Sequence, residues 1–307
     1  MNQNKNLTHN LIPIIFMGCL FIIIDFLALL LIWPFETAGM QAFEETNNLI
    51  NIVYIFVILI IVTAIILLIA KFWKKKIILF IILAALGYTA FYVFTPIFIN
   101  ILPLWIAIVF SAVLAIILII VLYIYPEWYI IDICGIIIGS GAIAIFGISL
   151  GIFLVILLLI GLAIYDAISV YKTKHMIDLA DTVMDLKLPV LLVIPKVKHY
   201  SLLKETKSLK EKIKEGEERE AFFMGLGDVV MPGILAAASL RFIENGLPIA
   251  LSVIIGTLVG FAVLMTFVIK GKPQAGLPCL CGGAIAGYLI SSYILYGKLV
   301  GITLPSF

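Results

Sequence analysis

The chain has 307 residues, 64% of them apolar and 12% charged, against roughly 45–50% and about 25% in soluble globular proteins, which excludes a soluble fold and predicts an all-α, polytopic membrane protein. At ~20 apolar residues per crossing, that apolar share supplies at most about nine or ten spans. Lys+Arg (20) and Asp+Glu (18) nearly cancel to a net charge of +2, so no basic surface exists for nucleic acid; with three histidines, none inside an apolar run, a His-Glu-x-x-His zinc protease is excluded, and neither metal nor cofactor is expected.

Residues 1–10 are polar with a single lysine, and the apolar run that starts at Leu11 continues for about 23 residues, too long for a signal peptide core of about 7 to 15. It is predicted as the first span, residues 11–33. Further spans are predicted at 49–70, 77–99 and 103–125, punctuated by Pro, Gly and charge clusters. From Glu127 to Tyr171 the chain stays apolar for about 45 residues, too long for one crossing, so two helices are predicted with a break near Gly147 and Gly151. After a polar segment, spans follow at 222–240, 247–269 and 278–301, making nine. The chain thus divides into an N-terminal membrane region (1–172, helices 1 to 6), a hydrophilic loop (173–221) and a C-terminal membrane region (222–307, helices 7 to 9). Four cysteines, Cys19, Cys134, Cys279 and Cys281, lie in or beside these spans and are expected to act as small buried hydrophobes.

Orientation follows from the cations, because cytoplasmic loops carry the excess of Lys and Arg. With nine spans and the N-terminus inside, 18 of the 20 cations fall on the inner side, leaving only Arg241 and Lys298 outside. An eight-span reading would put the large polar loop opposite Lys71 and Lys74 to Lys76 and destroy the asymmetry. The chain is therefore expected in the cell membrane, with its N-terminus and its large loop cytoplasmic. Within that loop, residues 198–220 are rich in Lys and Glu and read as a solvated helix or linker. The octapeptide 188–195 is apolar, β-favouring and bracketed by Pro189 and Pro195; it reads either as a segment lying on the bilayer or as a strand that can pair with another chain.

Apart from Lys298 at the outer end of the last one, no Lys, Arg or His lies within a predicted span, yet Asp25, Asp132, Asp166 and Asp228 do. A lone charge at the bilayer centre costs several kcal/mol, so each carboxyl needs a partner or a proton, and such residues are functional candidates. Asp166 lies six residues before Lys172 and Asp228 eight after Glu220, or about 9 Å and about 12 Å at helical rise. On consecutive antiparallel helices they would sit at matched depth, within reach of inner-side water. Asp132, near the inner surface, reads as part of a polar network, and Asp25, near mid-bilayer, as a protonated or hydrogen-bonded packing residue. Two carboxyls sharing a site of low dielectric hold one proton between them. That arrangement suits an aspartic protease, in which one member activates water and the other polarises the peptide carbonyl. It equally suits a proton relay in a transporter.

Local sequence favours the protease. In Gly225-Leu226-Gly227-Asp228 two glycines precede the aspartate, and Pro232-Gly233 follows about a turn later, a loosened segment that lets an extended peptide approach closely.

These motifs resemble those of the presenilin and signal peptide peptidase family of intramembrane aspartyl proteases, in an archaeal-type single-chain form. Tyr165-Asp166 is similar to the family's Tyr-Asp motif on the sixth helix, and Gly225-Leu226-Gly227-Asp228 to its Gly-x-Gly-Asp motif on the seventh; the stretch from Phe223 to Ile234 is especially close to signal peptide peptidase. The family's Pro-Ala-Leu motif appears altered as Ala275-Gly276-Leu277-Pro278, with Leu277 the best-matched position. The resemblance implies Asp166 and Asp228 as catalytic, Tyr165, Gly225, Leu226 and Gly227 as supporting the site, and Gly276, Leu277 and Pro278 as shaping the substrate cleft. Substrates would be transmembrane proteins, peptides or remnant signal peptides, with no accessory subunit required. A substrate helix must unwind before water reaches its backbone, and Leu191 and Val193 on the 188–195 strand are candidates to pair with it. Two rivals remain: a proton- or cation-coupled transporter or channel using the same aspartates, and a prepilin or preflagellin peptidase, which also uses Gly-x-Gly-Asp. A rhomboid-type serine protease is disfavoured, because Gly139-Ser140-Gly141 lacks the preceding glycine of that motif and no span holds a histidine.

Overall fold

The structure, a computed structural model, describes residues 2–72, 75–173, 191–196, 200–201, 221–269 and 274–303. Most of the predicted hydrophilic loop, its Lys/Glu-rich half included, lies outside the described residues. Nine α-helices are described: α1 (Asn2–Thr37), α2 (Ile50–Phe72), α3 (Lys75–Ile99), α4 (Leu104–Ile124), α5 (Trp128–Ser149), α6 (Ile152–Ile168), α7 (Leu226–Phe242), α8 (Leu247–Ile269) and α9 (Gly276–Tyr296). Seven of them are long and apolar enough to cross a membrane. The other two are α2, whose described side chains give a shorter apolar stretch at Ile50–Val62, and α7, which has 17 residues.

The helices bear out the all-α, polytopic expectation, and one small sheet accompanies them. Strands β1 (Leu191–Pro195) and β2 (Ala221–Gly225) form a two-stranded antiparallel sheet, with Leu191 opposite Gly225 and Val193 opposite Phe223. The seventh helix therefore starts at Leu226 rather than at 222, and the described part of the 188–195 segment, Leu191–Pro195, finds its partner within its own chain. Alternate side chains divide between two apolar clusters: Leu192, Ile194 and Met224 join the main core, while Val193 and Ala221 join a second cluster with Leu83 of α3, Leu122 of α4 and Ile131 and Cys134 of α5. Extended backbone beside a bilayer is tolerated where protein covers it, and this sheet is covered on both faces.

The predicted break between helices five and six falls at Leu150 and Gly151, both extended. The α1–α2 connection seals it, with the Gly151 amide donating to the Thr46 carbonyl (2.8 Å) and the Ala42 amide to Ser149 Oγ (2.7 Å). A Cβ on Gly151 would collide with the Asn47 side chain seated against it.

At the centre stands α7. Every residue from Pro232 to Ser239 is buried, and α1, α5, α6, α8 and α9 all pack on it. A helix enclosed by five others needs small side chains, which accounts for Gly233 and the run Ala236-Ala237-Ala238. A Cβ on Gly147 of α5 would run into Ala237. Helices α8 and α9 pack backbone to backbone: Gly256 lies against the Gly283 carbonyl, Gly260 against that of Cys279 and Gly287 against that of Ser252. At the end of α7 remote from the sheet, Arg241 pairs with Glu36 of α1 at 2.6 Å.

Candidate active site

Helix α6 buries Ile152, Val155, Leu159, Leu162 and Asp166 at a 3-4-3-4 spacing that forms one stripe facing the core, widened by Leu154 and Leu158. Asp166 ends that stripe, 3% exposed. Tyr165, one position off the stripe, is 48% exposed and makes no hydrogen bond among the described residues. Directly beyond Asp166 the helix widens into a π-turn, Ser169–Thr173, a distortion frequent at functional sites. From that turn the Tyr171 hydroxyl donates to Gln274 Oε1 at 2.6 Å, tying the end of α6 to the lead-in of α9. Neither Tyr171 nor Gln274 carries a sequence signal.

Asp228 is the third residue of α7, in its first turn, closer to the helix start than the sequence predicts because β2 takes the preceding residues. The residue is half-buried, and its carboxyl interacts electrostatically with that of Asp166. The two aspartates meet at the start of α9. The Leu277 amide donates to Asp166 Oδ2 at 3.0 Å, and the Gly276 amide is directed at the same carboxyl. These are free amides of a first helical turn, which favour negative charge. On the other side, a Cβ on Gly276 would stand 3.0 Å from Asp228 Oδ2, and one on Gly225 3.3 Å from it. The glycines at 225 and 276 thus leave room for the Asp228 carboxyl, whereas Gly227 has nothing within 4 Å of its Cβ position and opens outward. Leu226 fills the space left by Gly135 and Gly139 of α5 and anchors the start of α7. Leu277 and Pro278 are both partly exposed beside the pair.

Of the other two intramembrane aspartates, Asp132 accepts a 2.8 Å hydrogen bond at Oδ1 from the Val193 amide of β1. Both backbone groups of a residue in an antiparallel pair point to the same side, so Val193 and its partner Phe223 point away from the shared ladder. The Val193 donor, expected to serve a substrate, is therefore taken by Asp132. Among the described residues, the edge left over is that of β2, at Ala221, Phe223 and Gly225. Asp25 is 2% exposed, its Oδ1 has no hydrogen-bond partner among the described residues, and it occupies the space that a Cβ on Gly233 would need. Among the described residues no cluster of three or more metal-ligating side chains occurs.

Comparison with known proteins decides what such a pair of aspartates belongs to. Residues 18–296 match the family described as signal-peptide peptidase, presenilin aspartyl protease. The chain belongs to this family. Two solved structures, of a presenilin family intramembrane aspartate protease in C222 and P2 space groups, are similar to it: one at 33% identity and a TM-score of 0.70, covering 92% of this chain and 99% of the other, the second at 34% and 0.67, covering 91% and 96%. Among curated proteins none matches the chain. It is an intramembrane aspartyl protease of the multi-pass presenilin and signal peptide peptidase type, and the transporter and preflagellin peptidase alternatives fall away.

Proposed function

We propose that Asp166 and Asp228 are the catalytic dyad, hydrolysing peptide bonds within or beside transmembrane segments of membrane proteins or remnant signal peptides. The observation that carries this reading is the convergence of both carboxyls on Gly276 and Leu277, one held by amides and the other given space by missing Cβ atoms. Asp166, receiving the amides, takes the carboxylate role, and Asp228 holds the shared proton. Asp166 accepts a proton from water as the water oxygen bonds to the peptide carbon, while Asp228 passes its proton to the carbonyl oxygen. As the C–N bond breaks, the proton on Asp166 moves to the leaving nitrogen and the hydroxyl proton returns to Asp228, restoring the dyad.

The scissile segment must be extended to expose its carbonyl to water. The reading supported here is that it lies along β2 at Ala221, Phe223 and Gly225, three residues before Asp228, rather than on β1, whose Val193 amide is occupied. Gly227 faces the approaching chain and Leu277 and Pro278 bound the cleft. The 18 of 20 cations on one side support a cytoplasmic N-terminus and catalytic loop, and the division into 1–172, 173–221 and 222–307 places one aspartate on each side of that loop.

The test is cleavage of a single-span peptide by the purified full chain in liposomes, with products weighed by mass spectrometry. Asp166→Asn and Asp228→Asn are each expected to reduce the rate by at least about 100-fold. Retained cleavage in either folded variant overturns the dyad.

A further inference from the structure

The strands β1 and β2 are joined by residues 196–220, far more than a tight hairpin turn, so turn geometry does not set their register as it does in a two-residue hairpin. Two other things must. A slip by one residue would exchange Val193 and Leu192 between the two apolar clusters, and the pleat forbids it. A slip by two residues preserves the faces, and packing discriminates poorly against it.

Asp132 does discriminate. It is 6% exposed, and its Oδ1 takes the Val193 amide at 2.8 Å. Sliding β1 by two residues in one direction would bring Pro195 to that position, and proline has no N–H to give. The buried carboxyl would then lose its donor, a costly outcome. Sliding in the other direction would bring the Leu191 amide to that position and leave Asp132 a donor, so Asp132 acts against slippage in the Pro195 direction. The same face of α5 continues as Gly135, against Leu192 and Leu226, and Gly139, against Leu226 and Val230. One stripe of α5, at positions 132, 135 and 139, thus holds β1 and the first turns of α7 together. Glu127, at the start of α5, adds a second tie by accepting from Ser201 Oγ at 2.7 Å.

We propose that Asp132 is a positioning residue that fixes the register of the β1–β2 sheet, and through it which peptide bond of a substrate laid on β2 faces the dyad. The proposal rests on the protease reading above. Its consequence is that removing the Asp132 acceptor shifts the cleavage position in steps of two residues.

The register is read without catalysis, by disulfide trapping in the full-length Asp228→Asn chain with Cys19, Cys134, Cys279 and Cys281 replaced by Ala. Val193→Cys with Phe223→Cys reports the present register, and Val193→Cys with Gly225→Cys the slipped one, in which Pro195 lies opposite Phe223. Asp132→Leu is expected to shift the ratio of the two cross-links by about fivefold toward the slipped pair, the factor by which one net hydrogen bond biases an equilibrium, and Asp132→Asn, which keeps an acceptor oxygen, to restore it. In the active chain, Asp132→Leu is expected to add products differing by two residues while its unfolding temperature stays within a few degrees of the parent. An unchanged cross-link ratio in folded Asp132→Leu overturns the proposal, as does an unchanged product pattern when the parent cleaves. A shifted ratio in a chain whose parent does not cleave supports the register role and counts against the dyad instead.

Discussion

Leu277 and Asp166, 111 residues apart in sequence, are joined by a 3.0 Å hydrogen bond from the amide of one to Oδ2 of the other. A substitution that keeps the amide leaves this bond intact, so the side chain of Leu277 and its backbone can be tested separately. Leu277→Pro removes the donor at the second position of α9, where a helix tolerates proline. Hydrogen bonds to charged groups contribute about 1.5–3 kcal/mol, so Leu277→Pro should lower kcat by roughly 10- to 100-fold, with Leu277→Ala affecting mainly KM. Steady-state cleavage of a model peptide separates the two.

The glycines around Asp228 should rank by the space they leave. A Cβ would stand 3.0 Å from its carboxyl at position 276 and 3.3 Å at 225, and would meet nothing at 227. Gly276→Ala is expected to reduce kcat/KM most, by about tenfold or more, Gly225→Ala less and Gly227→Ala least, while alanine in a helical turn adds up to about 1 kcal/mol of stability. Rates that fell equally for all three would show that backbone freedom, not space beside the carboxyl, is what the glycines supply.

Gly260 of α8 lies against the Cys279 carbonyl of α9. Gly260→Leu should force the helices apart, cost about 1–3 kcal/mol and displace Leu277 from Asp166. Thermal unfolding in detergent and peptide cleavage should fall together.

Asp25 fills the space that Gly233 leaves and has an unpartnered Oδ1. Asp25→Asn keeps this shape and is expected to hold activity within about threefold, whereas Gly233→Ala should lower the unfolding temperature through overpacking of about 1–3 kcal/mol. A tenfold or greater loss of cleavage in Asp25→Asn would instead give Asp25 a part in proton traffic.

The ion pair between Glu36 and Arg241, with side chains 37% and 35% exposed, should contribute little. Glu36→Gln and Arg241→Gln are expected to cost less than about 1 kcal/mol each in a double-mutant cycle of detergent unfolding, with cleavage unchanged.

How much of this was legible in the sequence depended on whether a single local pattern carried the information. The break at Leu150 and Gly151 follows from the length of an apolar run, and the inward position of Asp166 from a helical stripe. The same stripe argues against an inward Tyr165, which the Tyr-Asp motif alone suggests as a supporting residue. β2 was hidden because Ala221 to Met224 runs unbroken into the apolar start of α7, and a continuous apolar pattern does not tell strand from helix. The bond from Val193 to Asp132 involves a backbone donor 61 residues away, and no side-chain motif marks an amide. For the same reason the role of Gly276 lay in the atom it lacks rather than in the altered motif around it.

The glycine contacts between α8 and α9 also have a mechanical consequence. Two helices whose backbones touch at Gly256, Gly260, Gly283 and Gly287 have no side-chain layer between them to rearrange, so they transmit displacement as one lever. Any motion that withdraws Leu277 from Asp166 must carry both helices, and a lipid or inhibitor wedged against α8 would be felt at the scissile bond.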